Sequence, residues 1–223
     1  TTVYGDVTLR ARVVMKLLKL AGVEGVPVTA GADLPVGDGP SVYWEGHEGQ
    51  GLLEAADYEL QPGPGHAVDA IIHEAQTHPG ETWLVAIGPL TNIALALLKE
   101  PALASLLAGI TIMGGVAGGA NAPDLPPTEH NFRSDPEAAR VVLAAGIPLH
   151  LVPLDVTVEV RIDASGVAAI AAVGDPFHDA VALQVELYPK YRARGSWTYL
   201  HDPLALATVV VPDLVWWEPC RAE

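Results

Sequence analysis

Segments that suit a β-strand and segments that suit an α-helix alternate along nearly the whole chain, and this alternation narrows the possible folds most. The short apolar runs 82–87, 110–113 and 149–154 suit buried strands, as does the β-branched opening at residues 1–4 and the brief Val26-Pro27-Val28. Between them, residues 9–21, 67–78, 92–99, 135–145, 164–172, 178–187 and 202–210 carry apolar side chains at helical spacing. Asp135-Pro136 reads as an N-cap followed by proline at the first helical position, and Asp202-Pro203 repeats that opening. Residues 32–65 are rich in Gly, Pro and acid and read as a long, partly ordered loop region. Strand followed by helix, repeated, predicts an α/β fold: an open, mostly parallel, Rossmann-like β-sheet with helices on both faces. No repeat and no long polar linker divides the sequence, so residues 1–223 read as a single domain. The strand-like ends, Thr1-Thr2-Val3-Tyr4 and Val215-Trp216-Trp217, suggest a domain incomplete at both ends.

Composition removes several classes of function. Half of the 223 residues are apolar, enough for a substantial core. Twelve basic against 27 acidic residues give a formal net charge of −15, which repels phosphate backbones and anionic membranes; neither nucleic acid nor membrane is an expected partner. A single cysteine, Cys220, excludes a disulfide framework and any multi-cysteine metal site. No apolar run is long enough for a membrane-spanning helix, so the cytoplasm is the expected compartment.

In open α/β sheets, ligands bind beyond the carboxyl ends of the strands. Gly88-Pro89-Leu90-Thr91-Asn92 follows the strand at 82–87. Gly114-Gly115-Val116-Ala117-Gly118-Gly119-Ala120-Asn121 follows the next, running on to Thr128-Glu129-His130-Asn131. Asp155 follows the strand at 149–154. The glycine run does not lead into a helix, because Ala122-Pro123-Asp124-Leu125-Pro126-Pro127 follows it. A dinucleotide site needs strand, turn and helix in succession, so a dehydrogenase is disfavoured. Taken singly, Thr91 and Asp202 read as N-caps, Glu129-His130-Asn131 as loop decoration, and His201-Asp202 as a lone acid/base pair. His66, His73, His78, His150 and His178 read as ordinary helix, loop or core histidines.

Together these segments carry more. Thr2-Val3-Tyr4-Gly5-Asp6-Val7, Gly88-Pro89-Leu90-Thr91-Asn92-Ile93-Ala94, Met113-Gly114-Gly115, Glu129-His130-Asn131-Phe132 with Asp135-Pro136-Glu137-Ala138-Ala139, Pro153-Leu154-Asp155-Val156-Thr157 and Leu200-His201-Asp202-Pro203-Leu204-Ala205 occur in that order. In this order the chain resembles the inosine–uridine-preferring nucleoside hydrolases over nearly its whole length. The resemblance implies hydrolysis of the N-glycosidic bond of ribonucleosides through an oxocarbenium-like transition state. It also implies one calcium ion, a small-molecule nucleoside substrate, a part in purine or pyrimidine salvage and a homo-oligomer, dimer or tetramer. By the same resemblance Thr91, through its backbone carbonyl, and Asp202 hold the ion. Asn121, Glu129 and Asn131 grip the ribose hydroxyls, Met113 packs under the sugar, and His47 lies over the base. His201 is the proton donor to the leaving base. Asp6 stands near the metal and ribose, where many members have Asn.

The sequence departs from that pattern in places. The family's Asp-rich first strand would precede Thr1 and its last strands and helix would follow Glu223, so residues 1–223 alone are expected to be inactive. His130 replaces a common aromatic residue and is expected to point away from the sugar. The loop from Asn121 to Glu129 is about two residues longer than usual. Tyr188, Tyr191 and Trp197 lie where members build the base pocket, with no single one singled out. A catalytically incompetent nucleoside- or ribose-binding protein of the same fold is the alternative.

Overall fold

A computed structural model describes residues 1–37, 46–118 and 125–220. In chain order its elements are α1 (Val7–Leu20), α2 (Ala67–Thr77), β1 (Trp83–Ala86), α3 (Thr91–Lys99), α4 (Leu103–Leu106), β2 (Gly109–Met113), α5 (His130–Ser134), α6 (Pro136–Leu143), β3 (Leu149–Val152), α7 (Leu154–Thr157), β4 (Arg161–Asp163), α8 (Ala164–Ala171), α9 (Pro176–Leu187), α10 (Pro189–Ala193), β5 (Trp197–Tyr199) and α11 (His201–Val210). The described residues form two compact units, one of 1–33, 46–67 and 161–199, the other of 34–37, 68–118, 125–160 and 200–220.

The second unit is built on a parallel sheet in the order β1-β2-β3, with Leu84 opposite Ile110 and Ile110 opposite Leu149. Every residue of β2 is buried, as a strand covered on both faces requires. Side chains alternate across a strand. Ile110 and Ile112 accordingly join Val68 and Ile71 of α2, Ile93 and Leu97 of α3, and Val142 of α6. Met113 instead packs with Val152 of β3 and with Leu204 and Ala205 of α11. Asp135 caps α6 by accepting the Ala138 N–H at 3.0 Å, with Pro136 at the first helical position as expected. The third strand ends at Val152, two residues before the expected boundary, because Pro153 has no N–H for the ladder and instead caps α7.

In the first unit Asp6 caps α1. Lys16 on that helix pairs at 2.7 Å with buried Asp57 on the 3-10 segment Ala55–Glu59. β4 and β5 pair antiparallel, Ile162 opposite Thr198. Two expected strands, at residues 1–4 and at Val26-Pro27-Val28, do not form here. The opening residues donate hydrogen bonds from Thr2 to Thr29 and from Tyr4 to Ala32. The donor advances two residues while the acceptor advances three, and a ladder requires equal steps. The expected strand at 215–217 is absent too. That stretch is extended but unpaired in a sheet; Trp217 stacks on His150 at 4.2 Å and Trp216 is 96% exposed.

Candidate active site

Within the sheet-bearing unit, the segments leaving β1, β2 and β3 carry the polar residues, as the strand-end rule predicts. Glu129 is the best-held of them. It is 3% exposed and caps the one-turn helix α5. Its Oε1 accepts the Asn131 N–H at 2.8 Å; its Oε2 accepts those of Phe132 at 3.1 Å and Gly115 at 3.3 Å. Backbone N–H groups thus hold both oxygens of the carboxylate in place. Burial nevertheless raises the Glu129 carboxyl above its ordinary value, outweighing those hydrogen bonds. Asn131 is also buried; its Nδ2 donates to the Met113 carbonyl at 2.9 Å and lies 3.5 Å from the Met113 sulfur. These bonds leave the amide oxygen as an acceptor. Glu129, Asn131 and Met113 thus form one fixed group.

The glycines after β2 serve this group. A side chain on Gly114 would come within 2.4 Å of the Phe132 ring, so only glycine lets α5 pack against the strand end. Gly115, with φ of +73°, then turns its N–H to Glu129. The described part of the run makes a seat for α5 rather than a phosphate loop.

Asp202 lies in the first turn of α11, whose N-cap is Leu200, and makes no capping bond, contrary to the cap reading. Its carboxyl is raised to about 6, first by burial and then by the negative charge of Glu129. No positive side chain among the described residues offsets either effect, and no salt bridge among them reaches Asp202 or Glu129. Beside it, His201 places Nδ1 2.7 Å from the Thr157 hydroxyl. Thr91 is no cap either: α3 is capped by Leu90 without a side-chain bond, and the Thr91 hydroxyl donates to Asp135 at 2.6 Å. Asp135, fully buried, also accepts the Val36 N–H at 2.9 Å. No hydrogen bond among the described residues joins Thr91 to Asp202.

Asp6 and His47 belong to the other unit. The Asp6 carboxylate accepts the Leu9 N–H at 2.8 Å as the cap of α1 and is exposed. His47 is half-buried, its ring 5.0 Å from that of Tyr188, and burial lowers its pKa against the opposing pull of Glu48. Its buried Nδ1 has no hydrogen-bond partner among the described residues. Tyr191 is buried, and Trp197 packs edge-on to Tyr199 under Arg161. Tyr188 is therefore the aromatic that meets His47. Asn121 lies outside the described residues.

Sequence reasoning missed Thr157 and the second role of Asp135. Both stood inside quoted motifs, but only long-range contacts, to His201 and to Thr91, distinguish them. A cavity of about 580 Å³ in the sheet-bearing unit is lined chiefly by Val156, Val160, Leu204, Ala207 and Val215, and by none of the expected site residues.

The pyrimidine-specific ribonucleoside hydrolase RihA of Citrobacter koseri is 34% identical over 220 residues, spanning 94% of this chain and 68% of that protein. Uridine nucleosidase 1 of Arabidopsis thaliana is 29% identical over 225 residues, spanning 96% and 66%. A purine-preferring ribonucleoside hydrolase structure from Gardnerella vaginalis superposes with a TM-score of 0.84 at 27% identity, covering 99% of this chain and 73% of that one. The sequence profile of the inosine-uridine preferring nucleoside hydrolases matches residues 1–223, so the chain belongs to that family.

Proposed function

We propose that this chain carries the ribose-binding and leaving-group side of a nucleoside N-ribohydrolase, which cleaves the N-glycosidic bond of ribonucleosides to free base and ribose. The observation that carries this reading is the pairing of two acidic groups, buried Glu129 and the raised carboxyl of Asp202, beside an amide fixed by Met113. Glu129 and Asn131 bind ribose hydroxyls and Met113 packs beneath the ring. Asn121 is a third ribose ligand on this reading. Hydrogen bonds that tighten as the sugar flattens toward an oxocarbenium ion lower the barrier rather than merely strengthening binding. His201 protonates the departing base. The His47–Tyr188 ring pair, with its unsatisfied Nδ1, is the candidate contact for the base.

Calcium fits the chemistry of the donors but not their number. Asp202 and the Thr91 carbonyl would hold it. Hard oxygens suit the ion, and a cation would relieve the Asp202–Glu129 repulsion. Yet calcium takes 6–8 oxygens, and no cluster of three or more acidic, His or Cys side chains able to hold a metal occurs among the described residues. The missing oxygens would come from carboxylates not among those residues, from water and from substrate. When bound, such an ion activates water and orients the sugar.

A homo-oligomer, dimer or tetramer, belongs to this reading; almost fully exposed Trp216 supports a covering partner. So does a cytoplasmic role in base salvage; among the described residues no helix is long and apolar enough to cross a membrane. The second reading, a binder that does not cleave, is favoured by the short metal shell. The test is base release from uridine and inosine by the native gene product carrying Glu129→Gln. A fall in kcat/KM of about 10²-fold or more is expected, with the fold intact. Unchanged turnover in that variant contradicts the assignment.

A further inference from the structure

We infer that Arg10 is a positioning residue: its guanidinium holds the loop 46–53 through Glu48 and so keeps the His47 ring against Tyr188. This role rests on the reading of that ring pair as the base contact and adds the side chain that fixes it. All of these residues belong to one compact unit. The anchor is itself tied down. Tyr4 and Gly5 both take left-handed backbone, with φ of +64° and +67°, so the chain turns sharply between its opening segment and α1. Their N–H groups donate to the Ala32 and Asp33 carbonyls at 2.7 and 2.8 Å. Arg10, on α1, donates from Nη1 to the Val3 carbonyl at 2.7 Å across this turn. One end of the guanidinium is thus fixed, and the planar fork presents Nη2 to Glu48 Oε1 at 3.0 Å. The two side chains are 26% and 24% exposed, so salt screens this charge-assisted bond only in part.

The first half of the loop needs this tie. The second half is seated by packing: Leu52 is buried, and a side chain on Gly51 would come within 2.9 Å of Leu187. There Gln184 of α9 also donates to the Gln50 carbonyl at 2.9 Å. His47 stands in the first half, where the Gln50 N–H closes a turn on its carbonyl at 3.0 Å. Among the described residues, Arg10–Glu48 is the ion pair that reaches this half. Glu48 follows His47 directly, so a held Glu48 limits how the His47 backbone can turn, and the ring stays 5.0 Å from that of Tyr188. A base that meets a ring pair already in place loses less freedom on binding than one that must order the loop.

Two measurements on the native gene product test this. Amide hydrogen exchange at Gln50 reads the loop without substrate. Arg10→Met and Glu48→Ala are each expected to speed it by about fivefold or more, and the double variant by no more than either single, because both remove one contact. Unchanged exchange in Glu48→Ala overturns the inference, and that variant decides even if Arg10→Met does not fold. Uridine hydrolysis reads the consequence: each single variant is expected to raise KM by about fivefold with kcat little changed, and the double variant to match them. Lys16→Met controls for general loosening. It breaks the neighbouring 2.7 Å pair of α1 with buried Asp57 and is expected to lower Tm without raising KM. An equal rise in KM there would overturn the positioning role. Faster exchange with unchanged KM would contradict the reading of His47 as base contact and leave the loop tie standing, so the two failures are distinguishable. Should the gene product release no base, exchange still decides the tie.

Discussion

At the scale of single residues, the site stores unfavourable charge that a ligand can relieve. Asp202 titrates at about 6 when folded against an ordinary carboxylate value of 3.8. Above pH 6 the folded chain holds a charge that burial and Glu129 both oppose. As pH falls from 7 toward 4 the folded state takes up a proton before the unfolded state does, so this group makes the protein more stable on that descent. Asp202→Asn should remove the effect in calcium-free buffer. The variant is expected to be the more stable by up to about 3 kcal/mol at pH 8, with the difference shrinking toward pH 4; urea melts across that range measure it. The Asp135 carboxylate instead accepts hydrogen bonds from Thr91, Val36 and Ala138. Asp135→Ala leaves the buried Thr91 hydroxyl and the Val36 N–H without that acceptor and removes the cap of α6. It is expected to cost about 3–5 kcal/mol in thermal or denaturant melts. Its capping bond was legible from Asp-Pro before an apolar helical run. Its bond to Thr91 was not, since nothing local marks a partner 44 residues away.

At the scale of elements, the sequence announced what periodicity can announce. The predicted helices from 67, 92, 135, 164, 178 and 202 all form, with ends shifted by one or two residues at most positions. The apolar strands β1, β2 and β3 form in the parallel arrangement expected. The single-turn helices α4, α5, α7 and α10 escaped notice because one turn leaves no period to read. The end segments failed as strands for a different reason: β-branched and aromatic residues give a tendency, but a ladder needs a partner in register. α5 owes its place to Gly114. Gly114→Ala is expected to displace Phe132 and loosen Glu129 from Gly115, at about 1–3 kcal/mol, read as a lowered melting temperature; no shift would mean Phe132 moves freely.

At the scale of the whole molecule, the family and its α/β fold were legible because six ordered motifs cover the chain; hydrogen bonds join Asn131 to Glu129 and to Met113 at the end of β2. The metal shell was less legible. Its expected members Thr91 and Asp202 differ in surroundings, since the Thr91 hydroxyl is bonded to Asp135 while Asp202 is opposed by burial and by the charge of Glu129, and calcium needs more oxygens than they supply. Activity is therefore expected to depend on a cation that the two acidic groups invite but do not complete. The most direct measurement is release of free base from uridine and inosine by the native gene product, with calcium present and again after chelation. Release is expected with calcium, with loss on chelation and recovery when calcium is returned. Nucleoside that binds under both conditions and is never cleaved would contradict it and make the protein a binder.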